Sequence, residues 1–489
     1  MTESNSEKVK LQAVNFNPFA DGDIFATFPA TESQREIWVA AQLSDASNCA
    51  YNESISLHFH GSLNIEAFKH AVQQLVNRHE SLHANFSADG ATFCVIDELE
   101  IDIPVSDLSS EDTSVKKQQL KRLMDNDVED PFNLESGPLF RVHVVKISEN
   151  ESYAIICAHH IVCDGLSWAV LLPDLATLYE AEINKVDASL PAAELFSDYI
   201  QYLETDEHKK LHQQDLKYWL DVYSDQVPQL ELPTDQQRPK LKTYRAGRID
   251  YSLNPAMVRR LKKIGSGTGA TFVVTLMAAF KVFLYRLSGQ KDIVLGLMAA
   301  GQSVSGFNNL VGHCVNLLPV RSQLQDSMTF EDYVKMLRGI MFDAFDHQNI
   351  SFGRILKSLN IPRDPARIPL CPVTFNIDQA ATGFPFGELE VDFITNDRHF
   401  ENFEIFLNAV EDVNDQLTLE CTFNSDLFGL ETIQRRLEEF ESLISQIIEN
   451  PLQTINSLEL VPAIEQSLLD SWNETQQPLT DGELIHHLI

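Results

Sequence analysis

Two adjacent imidazoles, His159 and His160, follow an apolar run from Tyr153 to Cys157 and precede the pair Asp164-Gly165. Histidine is the side chain best matched to moving a proton near neutral pH. The run is short, continuous and bounded by polar residues, so it predicts a buried strand. Leu166 to Ala181 is apolar at helical spacing, with Pro173 inside as an expected kink. The two histidines therefore stand where a strand ends, and the Asp-Gly pair turns the chain into a helix. Side chains at the end of a rigid strand can be held at a fixed angle over a cavity. The same residues have a plainer reading, as a hydrogen-bonded core pair with Asp164 as a helix N-cap. Cys163 inside the stretch is a candidate nucleophile by type. The seven cysteines are scattered, with no CxxC pair and no spacing suited to a metal.

The elements that must position these residues are legible on both sides. Leu139 to Ile147 and Tyr153 to Cys157 form an expected strand pair across the Glu149-Asn150-Glu151 turn. Upstream, Thr31 and Gln34 have the spacing of a capping box before a helical stripe. Tyr51 to His60 alternates as a strand, with Ile55, Leu57 and Phe59 on one face; His58 and His60, opposite, read as surface residues. An amphipathic helix starts at Asn64. Downstream, Arg248 to Leu253 and Ile293 to Leu297 read as strands, and Phe272 to Leu287 as an apolar helix. Pro372 to Asp378, Phe403 to Val410 and Leu417 to Phe423 read as further strands, and Thr432 to Glu449 as a closing helix.

At 489 residues the chain is too long for a single compact core, so two or more domains or lobes are expected. A formal charge of −34, from 37 basic and 71 acidic residues, repels nucleic acid and anionic membrane, so neither is an expected partner. Scattered thiols and the lack of a signal-like stretch point to a reducing, cytoplasmic setting.

The stretch His159-His160-Ile161-Val162-Cys163-Asp164-Gly165 resembles the His-His-x-x-x-Asp-Gly motif of the condensation domains of nonribosomal peptide synthetases, chloramphenicol acetyltransferase-like acyltransferases. Six further stretches resemble family motifs in the same order. They are the helix carrying Gln34 and Trp38; Arg78 to Phe86, departing at His83 and Ala84; Phe196 to Tyr199; Gly312 to Arg321, with Gly312, Val315, Asn316 and Arg321 matching and Cys314 and Leu317 departing; His347 to Phe352; and Arg363 to Leu370.

The resemblance implies an α/β (α+β) fold of two chloramphenicol acetyltransferase-like lobes, a V-shaped pseudo-dimer with its active site in a tunnel between them. It divides the chain into a lead-in (1–24), an N-terminal lobe with the motif (25–185), a C-terminal lobe (186–460) and a linker toward an adenylation domain (461–489). The implied reaction is amide formation between an upstream carrier-bound acyl or peptidyl thioester and the amine of a downstream carrier-bound aminoacyl thioester. His160 is the implied central group, positioning the amine or taking its proton. Gly165 offers a backbone N–H for a developing oxyanion, or simply serves the turn. His159 supports the loop. Asp164 is expected to pair with Arg321, with Arg363 or Arg367 as fallback. Asn316, Trp168 and Asn376 are expected to line the tunnel.

The implied partners are carrier proteins, whose phosphopantetheine arms bear the substrates. No cofactor or metal is expected on the chain itself, and a monomer is expected. An epimerisation domain, or a non-catalytic recruiting domain of the same fold, carries related features and stays open. Cys49 to Ser54 and Gly312 to Leu318 resemble condensation domains that follow polyketide modules, which implies a polyketide-type donor.

Overall fold

The computed structural model describes residues 24–302, 306–359, 361–362, 364–379 and 386–475. Most of the expected lead-in, Arg363 and the end of the expected linker lie outside the described residues.

The first half runs β1 (Ile24–Pro29), α1 (Glu32–Ala41), α2 (Asp45–Cys49), β2 (Asn52–His60), α3 (Ile65–Arg78), β3 (Ala84–Phe86), β4 (Thr92–Ile96), β5 (Val105–Asp107), α4 (Thr113–Glu129), β6 (Phe140–Ser148), β7 (Glu151–His159), α5 (Gly165–Asn184) and α6 (Phe196–Leu203). The second half runs α7 (Asp206–Val222), β8 (Ala246–Leu253), α8 (Pro255–Gly267), α9 (Phe272–Ser288), β9 (Asp292–Ala300), β10 (Val315–Gln323), α10 (Phe330–Asp346), α11 (Phe352–Leu359), β11 (Val373–Gln379), β12 (Glu390–Thr395), β13 (Ile405–Glu411), β14 (Leu417–Asn424), α12 (Leu430–Glu449) and α13 (Ala463–Asn473).

Each half is organised on one large sheet. The first has the order β12-β2-β7-β6-β5, and the second β10-β9-β11-β13-β14-β8. A small sheet, β1-β4-β3, sits beside the first. β7 lies between two antiparallel partners, β2 and β6, and α3 and α5 cover its sheet. Burial on both faces is why its sequence is a continuous apolar run rather than an alternating one. α5 opens on a capping box: the Asp164 side chain accepts from the Ser167 N–H, and the Ser167 hydroxyl accepts from the Asp164 N–H. Pro173 is accommodated inside that helix, which runs unbroken to Asn184.

The lobes are not separated where the chain divides. β12, from the second half, pairs antiparallel with β2 and becomes the edge of the first sheet, with Asp392 opposite His58. Phe196, Tyr199, Leu310 and Cys314 pack into a cluster with Ile161 and Val162, and Val311 and Phe386 join the core beneath α5. The division expected at residues 185 and 186 therefore assigns to the second lobe a strand that completes the first sheet. No single helix among the described residues is long and apolar enough to cross a membrane. The apolar α9 is instead the buried centre of the second lobe.

Candidate active site

The motif is fastened from several directions. His159 is the last residue of β7 and is fully buried against the rings of Tyr51 and Phe132. Its Nδ1 accepts from the Ile161 N–H at 3.2 Å, and its Nε2 has no partner. Burial, with the neighbouring His160 adding to it, pushes the His159 pKa down to about 3, so this ring is neutral. The Gln34 amide reaches from α1 and donates to the Ile161 carbonyl at 3.2 Å. The residue that completes the helix cap thus also braces the turn after the histidines.

His160 stands just beyond the strand, its N–H donated to the Tyr51 carbonyl at 2.7 Å. About a quarter of its side chain (24%) reaches solvent. Nδ1 lies 3.2 Å from Nδ1 of His313, which comes from the segment leading into β10 of the second lobe. Nε2 lies 3.5 Å from Oε1 of Glu53 on β2. Arg398 donates to both oxygens of Glu53 at 2.6 Å and so compensates the half-enclosed carboxylate. Sequence reading missed His313 and Glu53. His313 occupies an unspecified position of the motif-like stretch from Gly312 to Arg321. Glu53 is brought in only by the pairing of β2 with β7, which sets it opposite Ala158.

Asp164 does not pair with an arginine. It is fully buried; Oδ1 accepts from the Ser167 N–H at 3.0 Å and hydroxyl at 2.9 Å, and Oδ2 accepts from the Cys314 N–H at 3.0 Å. Burial raises its pKa, against the pull of these donors. Arg321 instead grips Asp225 and Asp292, both at 2.6 Å, in the second lobe. The fallback Arg367 is committed to Glu231 at 2.7 Å. Two backbone N–H groups and a hydroxyl do here what a guanidinium was expected to do: Ser167 supplies two of the donors from α5, and the second lobe presents the Cys314 N–H to the carboxylate. Gly312 makes that approach possible: a Cβ there would come within 2.2 Å of the Phe196 ring.

Gly165 is exposed, and a Cβ built on it meets nothing within 4 Å. The turn does not require glycine for space. As the first residue of α5, its N–H belongs to the set that a helix leaves unpaired.

The three expected tunnel residues make the following contacts. Trp168 is 7% exposed and packs in the core of the first lobe. Asn316 donates to the Gln348 carbonyl at 2.8 Å. Asn376 donates to Asp378 at 2.9 Å and to Asn408 at 3.1 Å, within the second sheet. Cys163 is buried and its thiol is pushed well up by burial, which removes it as a nucleophile.

Arranged this way, His160 can hold a proton on either nitrogen. With Nδ1–H directed at His313, Nε2 is free to accept. Once protonated on Nε2, the ring faces the Glu53 carboxylate.

The family model "Condensation domain" matches residues 25–469. One of the linear gramicidin synthase proteins of Brevibacillus parabrevis is 30% identical over 470 residues, covering 94% of this chain and 9% of that protein. Surfactin synthase subunit 1 of Bacillus subtilis (strain 168) is 29% identical over 466 residues, 94% of this chain and 13% of that protein. The chain thus spans only a small part of the length of these curated relatives. Among solved structures, the first condensation domain of the calcium-dependent antibiotic synthetase superposes with a TM-score of 0.77 at 18% identity, over 90% of this chain and all (100%) of that one. The X-domain from teicoplanin biosynthesis, in complex with OxyB, gives 0.78 at 22% identity, over 89% and 96%. The two-lobed mixed fold is the one these structures share, and with a family match over nearly its whole length the chain belongs to the condensation domains of nonribosomal peptide synthetases.

Proposed function

We propose that this chain forms an amide bond between two carrier-bound thioesters. The observation that carries the reading is the setting of His160. Its ring is partly open to solvent at the contact between the lobes, fixed through Nδ1 by His313, with Nε2 on the side of Glu53 and Gly165 leaving space free. A free α-amine has a pKa of roughly 8, so a fraction is already neutral at physiological pH. The neutral amine attacks the donor thioester carbonyl, and a C–N bond forms as the carbonyl oxygen gains charge. His160 Nε2 accepts the surplus amine proton, which then lies toward Glu53. Collapse of the adduct breaks the C–S bond, and the departing thiolate takes the proton held on His160 Nε2, which returns the ring to its neutral form. The Gly165 N–H is the proposed donor to the oxyanion. Holding both partners on tethered arms supplies much of the acceleration by proximity.

The carrier proteins and their phosphopantetheine arms are therefore the proposed partners. A polyketide-type acyl chain is the proposed donor class.

The test is incubation with a donor-loaded and an aminoacyl-loaded carrier protein, followed by mass spectrometry of the second. A new amide mass on the acceptor carrier, lost in His160→Ala, is the expected result. Exchange of the donor α-proton without transfer points instead to epimerisation. Binding of a partner protein with neither reaction points to a recruiting role, as a domain with the fold of the X-domain could have.

A further inference from the structure

On the first sheet, away from the motif, His58 and His60 lie on the face opposite Leu57 and Phe59. Their spacing along β2 puts both imidazoles on the same side. β12 places Asp392 directly across from His58. Oδ2 of Asp392 lies 2.8 Å from Nε2 of His60 and 3.7 Å from Nδ1 of His58, and the two rings are 4.1 Å apart. The three ligand atoms fall within 4.8 Å of one another. Around a tetrahedral ion with bonds of about 2.0–2.1 Å, ligand atoms stand roughly 3.3 Å apart. The observed separations bracket that value.

The outer groups are also in place. Nε2 of His58 lies 3.1 Å from Oε1 of Glu151, and Tyr153 stacks on the His58 ring at 4.1 Å and 7°. A carboxylate on the far nitrogen of a histidine fixes the tautomer whose other nitrogen binds a metal. Here it leaves the Nδ1 lone pair of His58 aimed at Asp392. His60 and Asp392 are 42% and 60% exposed, so an ion can reach them from solvent.

We propose that His58, His60 and Asp392 form a binding site for a zinc-class divalent transition metal, with Glu151 orienting His58 and a fourth position open to water. Two imidazoles and one carboxylate suit such an ion rather than magnesium or calcium, which take oxygen ligands. Coordination through Nε2 of His60 requires the proton on that nitrogen to leave or to shift to Nδ1. The ion would join β2 to β12 and so fasten the strand from the second half to the first sheet.

The test is calorimetric titration of zinc chloride into the metal-free chain, with hydrogen exchange read over residues 390–395. Expected are one saturable equivalent at micromolar zinc, a raised thermal transition and slower exchange across β12. His60→Ala and Asp392→Asn, both at exposed positions, should abolish all three responses. Glu151→Gln should weaken binding about tenfold. Magnesium should give none of these responses. Absence of a saturable equivalent overturns the proposal, as does a zinc response unchanged in the His60 and Asp392 variants.

Discussion

Nδ1 of His313 faces Nδ1 of His160 at 3.2 Å, the two rings meeting edge-to-face at 81° with centroids 5.0 Å apart. This contact joins the end of β7 to the approach to β10, so each lobe supplies one ring. Burial holds the His313 pKa well below its ordinary value, and His160 adds to that effect. A neutral imidazole in this place fixes the plane of His160 without competing for its charge. It exchanges one hydrogen bond with Nδ1 and leaves Nε2 as the nitrogen that acts.

His313→Leu removes that hydrogen bond while keeping the apolar bulk. Product formation should fall by roughly 10- to 100-fold through misplacement of His160, with the loss in kcat rather than KM. His313→Gln, which can still donate or accept, should recover part of it. Equal activity in the Leu variant and the parent would remove His313 from the site.

Asp164 accepts two hydrogen bonds from Ser167 in α5 and one from the Cys314 N–H of the second lobe, and so joins the helix start to that lobe. Asp164→Ala loses the helix cap and leaves the Cys314 N–H without its acceptor, a combined cost of about 2–4 kcal/mol. Asp164→Asn keeps an oxygen for Ser167 but turns an amide donor toward Cys314, so it should fall between the two. Because Asp164 and Arg321 share no partner, the double variant Asp164→Ala, Arg321→Met should be additive within about 0.5 kcal/mol in denaturant melts. Strong coupling would restore the ion pair that backbone donors replace in the structure.

Gly165→Ala separates folding from chemistry. The added Cβ meets no atom within 4 Å, and alanine is the better helix former at the first position of α5. Thermal stability should therefore hold or rise by up to about 1 kcal/mol. Amide formation should drop if the open space beside this backbone is where the thioester carbonyl lies. Full activity in a well-folded Ala variant would exclude the Gly165 N–H face as the oxyanion site.

Lys281 is fully buried in α9, its Nζ donating to the Val320 carbonyl at 2.8 Å. Burial pushes its pKa down to about 7 from 10.5, despite the opposing pull of Cys371 and Asp292. Between those values the unfolded chain binds the extra proton and the folded chain does not. Stability should therefore rise with pH across that window, by up to about 1.4 kcal/mol per unit. Lys281→Met should flatten this slope and be more stable than the parent at neutral pH. A variant that keeps the parent's slope from neutral to alkaline pH would contradict the assignment.

The strand, turn and helix around His159 and His160 were legible because each depends on local signals: a buried apolar run, an N-cap and a helical period. The capping box at Thr31 and Gln34 was legible for the same reason. What the sequence hid was contacts that depend on long-range pairing, within the first sheet and across the lobes. Asp164 looked like half of an ion pair, since a buried carboxylate needs compensation, and sequence gives no sign that backbone N–H groups will provide it. Glu53 reads as one polar residue in an alternating strand until β2 pairs with β7. β12 reads as part of the second half, because nothing in its composition says which sheet edge it will complete.

Two of the buried histidines, His159 and His313, contribute to the acid side of the stability profile. His159, with its pKa near 3, and His313, also held low, both stay neutral in the folded chain at pH values where the unfolded chain protonates them from 6.5 downward. The unfolded state binds more protons in that window, so stability is present above it and is lost as pH falls from 6.5 toward 3. His159→Gln should cost stability at neutral pH, because the Ile161 N–H loses its imidazole acceptor. The same variant should lose less on acidification, since an amide does not titrate. Denaturant midpoints at about pH 7.5 and about pH 4.5 measure both effects. A variant whose midpoint falls by as much as the parent's between those conditions would assign the acid sensitivity to the carboxylates instead, because they too are protonated there.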